Sequence, residues 1–138
     1  MTTQGASVID RYYAAFNARD WAAYDDLFTA DAVLETPSGN GVGPEAVRAF
    51  DSGLVTGYSD FTITTLGRYA TGDRVASENL AEGVHDGPFP TPAGEIPASG
   101  NQVGGKYVGL FELRDGRISA QRIYYDQLAL VEQMTGTV

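Results

Sequence analysis

Cysteine is absent from the 138 residues. That excludes a disulfide framework, a thiolate nucleophile and a cysteine-ligated metal. Histidine occurs once, at His85, and lysine once, at Lys106. A lone histidine cannot supply half of a histidine-based metal site, and no HExxH run or histidine–aspartate cluster accompanies it, so no metal is expected. Basic residues are scarce: nine arginines and lysines stand against eighteen acids, for a net charge of −9. Nucleic acids and anionic membranes need a basic face, so this balance disfavours them and polyanionic substrates alike. No apolar run approaches the ~18 residues of a membrane helix. Met1 to Ser7 place no basic stretch ahead of an apolar segment, and a cytoplasmic location is expected. No glycine-rich phosphate loop precedes a helix, and no GxSxG elbow is present.

What is there suffices for one domain over residues 1–138, with 43% hydrophobic residues to build its core. The first third has helical periodicity. Ser7 is placed to cap a first helix, with Ile9, Tyr13 and Phe16 on one face. Asp20 is placed to cap a second, whose stripe is Trp21, Tyr24, Leu27 and Phe28, with Thr29 to Asp31 ending it. Gly43-Pro44 opens a third, with Val47, Phe50 and Leu54 facing one way. The remainder alternates as strands: Val33 to Thr36, a run around Phe61 to Tyr69, Arg74 to Asp86, Val103 to Leu113 and Arg117 to Asp126. Helices followed by an antiparallel meander make an α+β domain. Between the third and fourth long strands, Gly87 to Gln102 hold four of the six prolines. A loop of that length is often a lid, and this one is expected to cover a pocket entrance.

Asp115-Gly116 is a two-residue hairpin signal. Regular pairing from it sets Leu113 opposite Ile118, Phe111 opposite Ala120, Gly109 opposite Arg122, Tyr107 opposite Tyr124 and Gly105 opposite Asp126. Alternation then places Phe111, Leu113, Ile118, Arg122, Tyr124 and Asp126 on one face, greasy at one end and polar at the other. A greasy floor with a few convergent polar groups describes a ligand pocket. The expected pocket is lined by Phe16, Trp21, Tyr24, Asn79, Tyr107, Phe111 and Tyr124, with Arg122, Asp126 and His85 at its polar end. Asp126 is the candidate acid or base, because desolvation at an apolar wall suits a carboxylate to proton transfer near neutral pH. His85 shares its strand parity with Asn79, Ala81 and Gly83, small or polar as a cavity wall should be, and it titrates in the useful range. The expected partner is a small, largely apolar metabolite.

Two stretches carry a resemblance. Tyr12 to Asp20, then Leu27-Phe28 and Asp31-Ala32-Val33, resemble the opening of nuclear transport factor 2-like domains. His85 to Phe89, Ile96 to Gly100, Phe111 to Ile118 and Tyr124-Tyr125-Asp126-Gln127-Leu128 resemble the SnoaL-like polyketide cyclase family. The resemblance implies a cone-shaped barrel of curved antiparallel sheet wrapped by about three N-terminal helices. It implies acid/base catalysis without a cofactor, by a cyclase or isomerase acting on a polyketide-type intermediate. The family's aspartate, which moves a proton for an intramolecular aldol closure of an anthracycline precursor, matches Asp126. Its histidine ahead of the loop matches His85, and a second histidine is replaced here by Tyr124. The superfamily also contains epoxide-opening enzymes, whose Asp-Arg-Asp relay Arg122 and Asp126 echo, and non-catalytic binding proteins. Cone-shaped relatives pair through the outer sheet face. Ile123 and Tyr125 are expected to be apolar there, and a homodimer follows.

Overall fold

The computed structural model describes residues 2–91 and 93–136, with side chains from Ser7 onward; Met1 and Pro92, which the sequence reading touched, lie outside the described residues. The elements are α1 (Thr2–Ala18), α2 (Trp21–Asp25), β1 (Phe28–Thr36), β2 (Gly39–Val42), α3 (Pro44–Gly57), β3 (Thr62–Thr71), β4 (Arg74–Val84), β5 (Phe89–Thr91), β6 (Gly94–Ile96), β7 (Gln102–Arg114), β8 (Arg117–Tyr124) and α4 (Gln127–Thr135). α1 buries Val8, Ile9, Tyr12, Tyr13, Ala15 and Phe16, one apolar stripe at helical spacing. It begins at Thr2, so Ser7 lies inside it rather than capping it. It stops where Arg19 turns into the left-handed region at φ 58°, and the Arg19 amide and guanidinium both donate to the Phe16 carbonyl there (3.0 and 2.9 Å). Asp20 caps α2 by accepting from the Ala23 amide. α2 is only five residues long, and Thr29 to Asp31 are strand rather than a helix end. Phe28 has a sheet partner in Ile118, whose amide donates to the Leu27 carbonyl (2.7 Å); that pairing outcompetes a weak short helix. Gly43 and Pro44 open α3 as expected.

Six strands form one curled, open sheet in the order β2-β1-β8-β7-β4-β3. Every pairing is antiparallel except β1 with β8, which run parallel. α1 lies across β3 and β4, α3 across β1 and β2, and α4 against β7. This is the expected α+β cone, with β2 and β3 as unjoined edges and a fourth helix at its C-terminal end. The core between helices and sheet is rich in aromatic rings. Phe111 meets Tyr12 and Tyr13 edge-on at 5.5 and 6.1 Å between ring centroids, a geometry that adds to the burial of the rings themselves.

The β7–β8 register departs from the regular pairing after two residues. Arg114 faces Arg117 and Leu113 faces Ile118, but Glu112 then faces Ala120. Ser119 is the extra residue of a β-bulge, its hydroxyl donating to the Glu112 carbonyl (3.1 Å). Beyond it every partner moves by one: Phe111 faces Gln121, Leu110 faces Arg122, Gly109 faces Ile123 and Val108 faces Tyr124. A one-residue slip exchanges the two faces of a strand. Gln121 and Ile123 are therefore buried in the cone, whereas Tyr124 is 54% exposed on its outside. The expected inward placement of Arg122 and Tyr124, and the outward one of Ile123, are reversed by this bulge. Deleting Ser119 removes the extra residue and leaves every later pair unchanged, so the ladder should become regular with Gln121 and Ile123 still inward and Arg122 and Tyr124 still outward. The deletion should therefore leave a chain that still folds cooperatively, and Ser119→Ala should cost no more than about 1 kcal/mol. Circular dichroism with urea titration checks both, and loss of cooperative unfolding in the deletion alone would overturn this account of the bulge.

Candidate functional site

Between α3, α4 and the concave sheet face lies a cavity of about 240 Å³. Its apolar walls come from Phe50 and Leu54 of α3, Ile63 of β3, Ala81 of β4, Val103 and Tyr107 of β7, Ile123 of β8, and Ala129 and Leu130 of α4, with Tyr58, Phe61 and Tyr125 closing the gaps. Both polar ends carry a carboxyl group. Asp51 and Tyr12 sit at the inner end, 3% and 2% exposed. Asp126, Lys106 and Gln133 line the cavity near solvent, where Asp126 and Lys106 are exposed.

The rim is built by α4. β8 ends at Tyr124, so Asp126 is not in the strand; it caps α4, accepting from the Ala129 amide (2.9 Å). Gln133 clamps α4 to β7 by accepting from the Gly104 amide (2.8 Å) and donating to its carbonyl (3.0 Å). Tyr125 shares a 2.5 Å hydrogen bond with Ser38. The proline-rich segment takes a different place from the expected lid. β5 and β6 form a small hairpin whose Phe89 packs with Tyr58, Val103 and Met134, and none of its described residues lines the cavity.

The inner end is a hydrogen-bonded cluster. Tyr12 donates to Asp51 Oδ2 (2.8 Å), Tyr24 donates to the same oxygen, and Gln121 Nε2 donates to the Tyr12 hydroxyl (3.0 Å). Burial raises both phenols far above their usual range, with the nearby Asp51 charge adding to it, so they remain protonated donors. Burial also pushes Asp51 up to about 6, although the two phenols oppose the shift. The desolvated carboxyl of the pocket is thus Asp51. The sequence signal for it was an aspartate four residues after Val47 and three before Leu54, inside the apolar stripe of α3.

Of the sequence candidates, Tyr107 and Asp126 line the cavity. Tyr24 stands behind the inner end, bonded to Asp51. Phe16, Trp21 and Phe111 pack in the core behind the walls. Asn79 is buried and donates to the Tyr13 hydroxyl (3.0 Å). His85 is 0% exposed behind Tyr58, with Nδ1 2.8 Å from the Ser99 hydroxyl. Its amide and carbonyl bond Asn101, Ser99 and Gly100, tying the two ends of the 87–102 segment together. Tyr124 and Arg122 lie on the outer face, where Arg122 pairs with Glu112 (2.7 Å). Arg122 and Asp126 are therefore not joined in a relay. Among the described residues no group of three histidine, aspartate or glutamate side chains converges as metal ligands, and no helix is long and apolar enough to cross a membrane.

Gly105 lines the cavity, and a Cβ built there meets nothing within 4 Å. Gly105→Leu should fill part of the cavity at little cost to the fold. Calorimetry with the apolar probe tetralin should show affinity falling ~10-fold or more, as expected for added volume in a small apolar pocket, with the thermal midpoint nearly unchanged.

A family model described as SnoaL-like polyketide cyclase matches residues 6–134, and the chain belongs to that family. A protein from Jannaschia sp. CCS1, itself described as a candidate SnoaL-like polyketide cyclase, is 25% identical, with a TM-score of 0.87 over 97% of this chain and 93% of its own. IdmH of Streptomyces antibioticus, described as a candidate polyketide cyclase, is 25% identical, with a TM-score of 0.81 over 96% and 99%. An LEH-like epoxide hydrolase of M. tuberculosis shares the fold at 20% identity, with a TM-score of 0.73 over 98% and 92%. No curated protein matches the chain.

Proposed function

We propose that this member of the family is a cofactor-free cyclase or isomerase that moves a proton on a small, largely apolar metabolite of polyketide type. The cavity carries this reading: apolar along its length, with a carboxyl group at the rim and another at the inner end. A polyketide-type substrate offers acidic C–H bonds next to carbonyl groups. Asp126 takes such a proton, leaving an enolate. Return of the proton at another carbon isomerises the substrate. Attack of the enolate carbon on a second carbonyl forms a C–C bond and closes a ring, the new alkoxide taking up the proton. The volume argues for a mono- or bicyclic substrate, since about 240 Å³ lies below the ~300–1,000 Å³ of ordinary drug-sized sites. An anthracycline-sized precursor is too large for it.

Proton abstraction is testable without the natural substrate. The chain should accelerate deuterium uptake next to the carbonyl of 2-tetralone in D2O, followed by NMR. Asp126→Asn should slow that exchange by ~10²–10⁴ while leaving stability close to wild type, because asparagine caps a helix as well as aspartate does. Opening of cyclohexene oxide without exchange would move the reading to epoxide chemistry. Binding of 2-tetralone with neither reaction would move it to a non-catalytic binding protein.

The partner we propose for the outer sheet face is a second copy of the chain. With Ile123 and Tyr125 turned inward, the apolar side chains supporting a homodimer are Val108 and Tyr124, paired and exposed on that face. Light scattering at micromolar concentration should give twice the chain mass, and Tyr124→Glu should halve it.

A further inference from the structure

We propose that Asp51 is the oxygen anchor of the cavity: its protonated carboxyl donates a hydrogen bond through Oδ1 to the carbonyl oxygen of a neutral ligand. The inference rests on the ligand-pocket reading above and adds the chemical class of the ligand and a second group that touches it. Both phenols end on the same oxygen. Tyr12 accepts from Gln121, so its own proton is directed to Asp51 Oδ2, and Tyr24 donates there as well. A carboxylic acid carries one proton. Two O–H donors already point at Oδ2, so the proton belongs on Oδ1, which receives no hydrogen bond among the described residues. The residue lines the cavity, and a buried donor without an acceptor is costly. A ligand oxygen at the inner end removes that cost.

The groups around Asp51 favour the neutral acid. α1 presents Tyr12, α2 presents Tyr24 with Asp25 beside it, β8 presents Gln121 and β7 presents Tyr107. No arginine or lysine is among them. Burial dominates, so the folded-state value near 6 stands above that of a free aspartate, and the donor form exists below it and is lost as pH rises through it. A ketone or enone satisfies the donor. An anionic ligand meets an acidic inner end with no counter-charge. When Asp126 removes a proton from carbon, negative charge develops on the ligand oxygen, where a fixed donor in a dry site acts most strongly. The Asp51 proton shifts toward that oxygen to give the enol, and returns when the carbon is reprotonated.

The test compares 2-tetralone with tetralin, which has the same rings but no oxygen. By calorimetry on the wild-type chain at pH 5, the ketone should bind ~3–10-fold tighter, the usual net worth of one hydrogen bond. That advantage should shrink toward none at pH 8. Asp51→Asn keeps an N–H donor and cannot titrate, so its advantage should be the same at both pH values; Asp51→Leu should show none. The infrared carbonyl stretch of bound 2-tetralone should move to lower wavenumber at pH 5 and not at pH 8, a readout that requires no variant to fold. Equal binding of ketone and hydrocarbon at pH 5, or a pH dependence that persists in Asp51→Asn, overturns the anchor and leaves the ligand pocket standing. Failure of both probes to bind overturns the pocket reading and this inference together.

Discussion

One extra residue in β8 decides which chemistry the cone encloses. With Ser119 bulged out, Gln121 and Ile123 face inward and Arg122 and Tyr124 face out. Gln121 is then in place to bond the Tyr12 hydroxyl, which orients that phenol's proton toward Asp51. Ile123 supplies cavity wall, and Tyr125, next in the same alternation, supplies more. Regular pairing would instead bury an arginine where the cavity now begins. Bulges are common beside functional sites because they re-aim side chains without ending the sheet.

The cavity survives because small residues and a clamped helix hold it open. Gly105 leaves space where another residue would project, and Gly104 is pinned by both ends of the Gln133 amide. Those bonds hold α4 against β7, so the rim belongs to the folded core rather than to a mobile cover. The 87–102 hairpin has a supporting role. Phe89 packs behind Tyr58, and His85 fastens the segment's two ends, so both brace the cavity wall from outside.

Much of this was legible in the sequence. The three N-terminal helices, the Asp115-Gly116 hairpin and the α+β class follow from periodicity and turn chemistry, which are local. Asp126 and Tyr107 were placed at the cavity because both lie where any register keeps them near its end. The misplacements along β8 share one origin. Nothing in Arg117 to Asp126 marks Ser119 as an extra residue, because a bulge is fixed by what packs on both faces of the sheet. α4 was not anticipated, because its apolar residues, Leu128 to Val131, follow a strand without a glycine or proline to announce a boundary. The lid reading of the prolines failed for a tertiary reason: Phe89 finds a cavity-side neighbour in Tyr58 and draws the hairpin behind the wall.

Asp51 was legible in principle and is the more informative case. An aspartate inside an apolar helical stripe conflicts with the burial its neighbours demand, and such conflicts concentrate where function requires them. The fold resolves this one with two phenols on a single oxygen and leaves the other oxygen unbonded. A residue kept only for stability would have both oxygens satisfied, since half-satisfied buried groups are worse than apolar ones. The two carboxyls of the cavity thereby occupy opposite environments. Asp126 is exposed and bonded to a helix N-terminus, whereas Asp51 is sealed among neutral donors. Desolvating one of two like groups, as here at Asp51, is how a single pocket comes to hold an acid beside a second carboxyl.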